Sequence, residues 1–292
     1  MSTPPPIVLS FAASDPTGGA GLQADLLTLA SMGCHPLTVV TALTVQDTRG
    51  VEDILPIDAD WVSEQARRLL EDMPVAAFKL GALGSYENIE AIAEVLSDYP
   101  DIPVILDPVL ASGRGDPLAS EQMIGAMRAL LLPQTTIITP NSLEARRLVE
   151  FDGDDTDEGE AEREGEEEEE EELDLAECAS RILSLGCSYV LITGTHESSI
   201  DVINTLYGEE GVIRRDNWKR LPGSFHGSGC TLASAIAAAL ANGLDLAEAV
   251  HEAQEYTWQA LAAGFRPGMG QFLPDRFFWA REVEREPRPA ES

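Results

Sequence analysis

The sequence contains no long apolar run and few positive charges. No stretch of its 292 residues approaches the ~18 apolar residues that a membrane-spanning helix needs. The first residues, Met1 to Pro6, lack the positive flank of a secretory signal. Only 19 lysines and arginines stand against 51 acidic residues, and the net charge of −32 would repel nucleic acid and anionic membranes. We therefore expect a cytoplasmic protein that binds neither nucleic acid nor membranes.

Cysteines are also scarce. The chain has four, at positions 34, 178, 187 and 230, and their separations match no usual zinc-binding spacing. Metal binding by thiolates is therefore not expected. Free thiols suit a reducing compartment, which agrees with a cytoplasmic location.

Part of the negative charge is concentrated in one segment. Residues 152–172 hold 15 acidic residues and one arginine, so 18 of the 32 net charges lie elsewhere. Like charges at this density cannot pack, which predicts a disordered insert, with a partner-binding segment as the alternative. Residues 283–292 predict a frayed tail. The remaining acidity indicates either a well-solvated surface or adaptation to high salt.

Short apolar runs alternate with longer amphipathic segments along most of the chain. Residues 7–11 read as a strand, for example, residues 22–31 have apolar side chains at helical spacing, and residues 202–213 read as a hairpin. Repeated strand–helix units predict an α/β fold around a buried, mostly parallel sheet, in a single domain over residues 1–292. Ligands of such sheets collect where the strands end, at their carboxyl edge.

A glycine-rich turn, Gly227-Ser228-Gly229-Cys230, precedes an alanine-rich helical segment. Glycines let successive N–H groups point inward, and the helix N-terminus adds positive partial charge, so the turn can hold a phosphoryl group. Cys230 lies at this positive end, which predicts a lowered pKa and a role as base or polar aid for a substrate hydroxyl. A tight turn with a packed cysteine is the alternative.

A second glycine-rich turn, at residues 14–21, follows the first strand. It matches neither the dinucleotide-binding fingerprint nor the Walker sequence. Asp25, in the next helix, can accept hydrogen bonds from a ligand or can favour the helix dipole. Gln46 can bond to a heterocycle edge from a strand end. Lys79 ends another strand, where it either places a charge near the substrate or reaches solvent along its stem.

Two further strand ends carry polar groups. Asp107 follows one strand, and Asn141 with Glu144 follows another. Carboxylate and amide oxygens suit a hydrated Mg²⁺, which takes few protein ligands. Asn141 and Glu144 also have the spacing of a helix capping pair, and the two roles can coexist.

Taken together, these motifs resemble the hydroxymethylpyrimidine and phosphomethylpyrimidine kinases of thiamine biosynthesis, within the ribokinase-like superfamily. The matching stretches follow the family's order between about residues 7 and 275. They are residues 14–25, 41–48, 79–81, 106–109, 139–144 and 226–231.

The resemblance implies a three-layer α/β/α fold of ribokinase type with about eight strands. It implies ATP-dependent phosphorylation, with Mg²⁺, of 4-amino-5-hydroxymethyl-2-methylpyrimidine and of its monophosphate, by a homodimer. The implied site residues are Gly227, Ser228, Gly229 and Cys230 for catalysis, Gln46, Asp25 and Lys79 for the pyrimidine, Asn141, Thr193 and Gly194 for ATP, and Glu144 and Asp107 for the metal.

The sequence departs from the family pattern at several positions. Arg114 stands near the place of a frequent lysine, and Thr193-Gly194-Thr195-His196 replaces Lys-Gly-Gly-His, so the cationic phosphate contacts differ. Ala82 and Ala13 replace a methionine and a glycine, which alters the expected pocket shape. A pyridoxal or pyridoxine kinase and a catalytically silent pyrimidine-binding protein are the alternative functions.

Overall fold

The computed structural model of the chain describes residues 4–281, apart from residues 113, 114, 116 and 151–172. The expected acidic insert at 152–172, the tail at 283–292 and Arg114 therefore lie outside the described residues. The expectation of a single domain over the whole chain stays a prediction.

A nine-stranded sheet forms the centre of the molecule. The strands are β1 (Ile7–Ser14), β2 (His35–Gln46), β3 (Val51–Pro56), β4 (Val75–Leu80), β5 (Val104–Leu106), β6 (Ile137–Ile138), β7 (Tyr189–Thr193), β8 (Asp201–Gly208) and β9 (Gly211–Lys219). Their order across the sheet is β3-β2-β1-β4-β5-β6-β7-β8-β9. The six strands from β2 to β7 in this order pair in parallel, whereas β3, β8 and β9 pair antiparallel.

Eight α-helices surround the sheet in the described part of the chain. They are α1 (Gly21–Ser31), α2 (Ala59–Asp72), α3 (Tyr86–Ser97), α4 (Glu121–Ala126), α5 (Ser142–Glu150), α6 (Leu175–Ser184), α7 (Ser228–Ala241) and α8 (Leu246–Ala262). Several begin at a side chain that accepts a backbone N–H, as Ser85 does for α3 and Asp245 for α8. Helix α4 continues into a π-helical turn, Met127–Leu131.

Alternating strand side chains separate two hydrophobic cores. Leu9 and Phe11 of β1 join the core that packs against α2 to α6, whereas Val8 joins the core against α1, α7 and α8. The same alternation recurs in β5, where Leu106 and Ile105 lie in opposite cores. Helices therefore cover both faces of the sheet, which requires near-continuous apolar strands.

The predicted α/β architecture with a mostly parallel sheet is confirmed, with nine strands where about eight were expected. The hairpin predicted near residues 202–213 is β8 and β9. Strand β3 and helix α8 were not predicted. Most side chains of β3 are exposed and it includes Glu52 and Asp53, so it lacks an apolar signal. Within the described residues, no helix is both long and apolar enough to span a membrane.

Candidate active site

The anion-binding turn predicted at residues 227–230 lies at the N-terminus of α7. Gly227 has φ of 81°, a left-handed conformation that favours glycine, and caps the helix. A helix leaves its first N–H groups without intrahelical acceptors, so the amides of Ser228 and Gly229 are placed to bind an anion. Helix α7 is rich in alanine because it packs between the sheet and helices α1 and α8.

The two glycine-rich turns lie against each other. A Cβ on Gly227 would sit 1.9 Å from the carbonyl oxygen of Gly19, and a Cβ on Gly19 would sit 2.4 Å from the ring of His226. Glycine is therefore required on both sides of the junction. Although the turns are about 200 residues apart in sequence, the fold joins them into one structure.

Asp15 and His226 bridge this junction. The Asp15 carboxylate accepts the N–H groups of Thr17 and Ala20, and its Oδ2 lies 2.9 Å from His226 Nε2. Burial opposes ionisation of Asp15, but the bonds from His226, Gln46 and these amides hold its pKa well below the usual range. The sequence reasoning assigned no role to either residue. The Asp-x-Thr spacing, which is typical of an Asx turn, was a signal for Asp15.

Gln46 lines an open cavity beside the junction. The cavity measures about 400 Å³ and is bounded by the first glycine-rich turn, the loop after β2 and a C-terminal segment at residues 268–271. Its lining residues are Pro16, Thr17, Gln46, Asp47, Thr48, Arg49, Gly268 and Met269. The C-terminal segment is fixed on this loop because Gly270 and Gln271 donate backbone N–H groups to Thr48.

Asp25 and Lys79 form a fully buried ion pair. Lys79 Nζ lies 2.9 Å from one carboxylate oxygen of Asp25, and the hydroxyls of Ser10 and Ser234 donate to the two oxygens. Burial alone would lower the pKa of Lys79, but Asp25 raises it above the usual range. Lys79 does not reach solvent, and Asp25 lies beyond the first turn of α1. A contact of either residue with the substrate stays a prediction.

Cys230 lies beside this pair and beside Asp107. The prediction of a lowered pKa is wrong, because burial raises the pKa of the Cys230 thiol to about 12. Lys79 acts in the opposite direction, but Asp107 and Asp25 add to the effect of burial. The sulfur is therefore a protonated thiol at neutral pH. The helix terminus does not compensate for the lost hydration and the two neighbouring carboxylates.

Asp107 is a buried carboxylate below the turn. Its two oxygens lie 3.6 and 3.7 Å from the point where a Cβ of Gly229 would be. Burial raises the pKa of Asp107, and the charge of Lys79 only partly opposes this. Oδ2 has no hydrogen-bond partner in the described part of the chain. An unpaired buried oxygen of this kind indicates a site for a ligand or ion.

Asn141 and Glu144 form the capping pair that their spacing predicted. Asn141 Oδ1 accepts the N–H of Glu144, and Glu144 Oε2 accepts the N–H of Asn141. The other oxygen of Glu144 accepts the N–H of Leu110. Burial, together with the charge of Asp107, raises the pKa of Glu144 to about 7. The two candidate metal ligands are thus close enough to interact electrostatically.

Thr193 and Gly194 lie at the same edge of the sheet, at the end of β7. Thr193 donates its N–H to Pro140 and pairs with Asn141, while the N–H of Gly194 is held by the side chain of Asn204. Of the predicted site residues, Gln46, Lys79, Asp107, Asn141 and Thr193 therefore lie at or next to the ends of the parallel strands, whereas Asp25 and residues 227–230 lie on α1 and α7. Groups of three or more metal-ligating side chains are absent from the described residues.

Comparison with known proteins shows the family of the chain. Residues 15–275 match the family described as phosphomethylpyrimidine kinase. The chain is 38% identical to the hydroxymethylpyrimidine/phosphomethylpyrimidine kinase of Streptomyces coelicolor over 91% of this chain and 92% of the relative. It is 35% identical to the Escherichia coli enzyme of the same name, over 87% and 90% of the two chains.

Solved structures show the same fold. A phosphomethylpyrimidine kinase from Clostridium difficile is 30% identical, with a TM-score of 0.71 and coverage of 88% of this chain and 99% of that one. An ADP complex of Bacillus subtilis pyridoxal kinase is 27% identical, with a TM-score of 0.80 and coverage of 94% and 99%.

Proposed function

The chain belongs to the phosphomethylpyrimidine kinase family and is a kinase of thiamine biosynthesis, and we propose that it phosphorylates 4-amino-5-hydroxymethyl-2-methylpyrimidine and then its monophosphate. ATP is the phosphate donor. The observation that carries the proposal is the junction of the two glycine-rich turns, because it joins the α7 N-terminus to the cavity lined by Gln46.

In the first reaction the hydroxymethyl oxygen attacks the γ-phosphorus of ATP in line. The bond from that phosphorus to the β–γ bridging oxygen breaks, and ADP leaves. Negative charge spreads over the transferred phosphoryl oxygens, so positioning and charge neutralisation supply most of the rate. The amides of residues 227–229 and the positive end of α7 act on this charge. In the second reaction an oxygen of the monophosphate is the nucleophile.

Cys230 assists as a thiol and not as a thiolate. Its proton stays on sulfur at neutral pH, so the side chain orients the substrate hydroxyl by a weak hydrogen bond. Gln46 bonds to the edge of the pyrimidine, with Asp25 and Lys79 as a buried support behind the ring. Asn141, Thr193 and Gly194 contact the phosphates of ATP from the β6 and β7 strand ends.

Mg²⁺ is proposed at Asp107 and Glu144. The residues fit a divalent cation because two buried carboxyl groups lie close enough to interact electrostatically, and Oδ2 of Asp107 has no partner among the described residues. A bound Mg²⁺ would neutralise charge on the ATP phosphates. Asn141 and the backbone N–H of Leu110 hold Glu144 in place for this role.

Mass-spectrometric product analysis tests the function directly. Incubation with ATP, Mg²⁺ and the pyrimidine alcohol should give the monophosphate and then the diphosphate. Parallel kinetics with pyridoxal should show a much lower kcat/KM, because curated relatives at 34–38% identity are named for the pyrimidine substrates. If no phosphorylated pyrimidine forms, the proposal is refuted. If the enzyme prefers pyridoxal, the proposed substrate must be changed to pyridoxal.

We also propose a homodimer. The β2–β3 pair exposes three apolar side chains on one face, where Leu43 lies opposite Leu55 and Val45 lies opposite Asp53. Leu43, Leu55 and Val45 are 46%, 63% and 58% exposed. Contiguous exposed apolar residues on a strand pair near the edge of a sheet are typical of protein interfaces. The same face of a second copy would cover them.

A further inference from the structure

Arg276 is a buried arginine near the end of the described chain. It is 3% exposed, and its main-chain carbonyl oxygen accepts hydrogen bonds from Ser31 and Tyr256. The neighbouring residue, Asp275, donates its N–H to Ala260 of α8. Helices α1 and α8 therefore fix the backbone of Arg276, so that its side chain enters the interior from a defined direction.

The guanidinium group contacts both glycine-rich turns. Nη1 donates to the carbonyl oxygen of Gly18 at 3.3 Å and Nη2 to that of Gly19 at 2.5 Å. Nε donates to Thr231 Oγ1 at 3.1 Å, in the first turn of α7. The five N–H donors of arginine lie in one rigid plane, so a single side chain holds three acceptors in a fixed relation.

These contacts lead to the anion-binding turn. The Thr231 hydroxyl accepts from Arg276 and donates to the carbonyl oxygen of Gly227 at 2.7 Å. The carbonyl of Gly19 lies between the guanidinium and Gly227, because a Cβ on Gly227 would be 1.9 Å from that oxygen. Arg276 thus holds Gly227 by two routes, one through Thr231 and one through Gly19.

The positive charge of Arg276 also affects the anion-binding turn. Burial lowers the pKa of this arginine, and the nearby carboxylates that favour its charge are Asp25 and Asp15. Its hydrogen bonds go to carbonyl and hydroxyl oxygens, which do not neutralise it. A buried positive charge at the positive end of α7 is costly unless an anion binds there.

We propose that Arg276 is a positioning residue, which locks the α7 anion-binding turn onto the first glycine-rich turn and adds positive charge behind the transferred phosphoryl group. The inference rests on the proposed kinase function. Arg276 touches neither substrate; it acts through Gly227, Gly19 and Thr231. Loss of the Arg276 side chain therefore displaces the amides that stabilise the transition state, while the residues that line the cavity at Gln46 stay in place.

The test compares Arg276→Ala and Arg276→Lys with wild type. Both should lower kcat about a hundredfold, because a displacement of about 1 Å in a catalytic group has an effect of this size. KM for the pyrimidine should change less than threefold. Lysine keeps the charge but cannot hold three acceptors in a plane, so it should not restore kcat. Guanidinium at millimolar concentration should restore Arg276→Ala at least fivefold, and equal NaCl should not.

Arg68→Gln is the matched control, because that arginine is exposed on α2, which packs on the opposite face of the sheet from α7. It should keep the wild-type kcat. Circular dichroism and thermal melting establish the folded fraction of each variant. The proposal is overturned if kcat per folded molecule stays within threefold of wild type in either Arg276 variant, or if guanidinium gives no rescue of folded Arg276→Ala. An inactive wild type would instead refute the kinase function.

Discussion

At the scale of single residues, the environment of Cys230 determines what its sulfur can do. A helix N-terminus favours a thiolate, and the sequence alone led to that expectation. The fold adds burial and the carboxylates of Asp107 and Asp25, which together raise the pKa to about 12. A protonated thiol cannot act as a base near neutral pH, so the role that we propose for it is orientation of the substrate hydroxyl.

Replacing Cys230 separates these roles. Cys230→Ala should lower kcat by about ten- to a hundredfold, which is at or below the lower end of the usual range for acid–base groups. Cys230→Ser should recover much of the lost kcat. Between pH 8 and 10, the pH–rate profile of the wild type should show no ionisation step that is missing from the profile of Cys230→Ser. Cys187→Ala, whose thiol pKa is also raised to about 12, is the control and should leave kcat unchanged. A thiol ionisation near pH 8.5 would refute the orienting role.

The raised pKa of Glu144 predicts a pH dependence for the proposed Mg²⁺ site. Because that pKa is about 7, protons should compete with Mg²⁺ for the carboxylate below that pH. The Mg²⁺ concentration for half-maximal activity should rise several-fold between pH 8 and pH 6. Saturating Mg²⁺ should restore much of the rate at pH 6, since the cation displaces the proton. Measured Mg²⁺ titrations at fixed ATP test this, and a requirement independent of pH would exclude Glu144 as a ligand.

At the scale of elements, helix α7 is the part of the fold on which the phosphate site depends. Its nine consecutive buried residues, 231–239, are small or aliphatic, so the helix fits between the sheet and two other helices. Close packing fixes its direction, and the direction fixes where its first N–H groups point. The glycines before and after it have different surroundings although both have positive φ.

Alanine substitutions at the two ends of α7 exploit this difference. Gly227→Ala introduces a Cβ 1.9 Å from Gly19 O, which must force the two turns apart, so kcat should fall more than a hundredfold. Gly243→Ala meets nothing within 4 Å and has the same positive φ, so it should cost about 1 to 2 kcal/mol of stability and leave kcat intact. Steady-state kinetics and urea unfolding measure both effects. Equal kinetic effects would show that backbone strain alone explains them.

The antiparallel strands β8 and β9 also serve the site. Asn204 of β8 holds the N–H of Gly194, and its own amide group donates to Gln254 of α8. Gln254 in turn accepts from Trp218 and donates to Asp216, both on β9. This buried network anchors the end of β7, at which ATP is proposed to bind. The sequence indicated the hairpin but not this connection.

At the scale of the whole molecule, net charge and exposed apolar surface have opposite effects on the association of two copies. The net charge of −32 keeps separate copies apart, since like charges repel. The β2–β3 face exposes Leu43, Val45 and Leu55, which favour contact with a second copy. Salt screens the repulsion and leaves the hydrophobic term, so association should strengthen with ionic strength.

Light scattering after size-exclusion chromatography tests the homodimer. The wild type should have the mass of two chains, or about 63 kDa from a chain mass of 31.4 kDa, and the dimer should persist at 0.5 M NaCl. Leu55→Asp should give a monomer, because it replaces the most exposed apolar side chain of this face with a charge that is costly to desolvate. Ile200→Asp, at a 93% exposed residue away from β2 and β3, is the control. A monomeric wild type would contradict the proposal.

The sequence determined the order of strands and helices, because apolar periodicity and turn residues are local properties. It also determined the family, because the ordered motifs survive as a set even where Arg114 or Thr195 departs from the usual pattern. The capping pair of Asn141 and Glu144 was predicted because its two partners are three residues apart.

Tertiary structure decided the rest. Asp25 and Lys79 are 54 residues apart, and Arg276 lies 258 residues from Gly18, so no local pattern indicates that they meet. Strand β3 and helix α8 also depended on packing partners elsewhere in the chain. Protonation of Cys230 follows from burial and from charges that only the folded chain brings together. Local periodicity specifies elements, whereas burial and electrostatics depend on every residue that the fold places within a few ångströms.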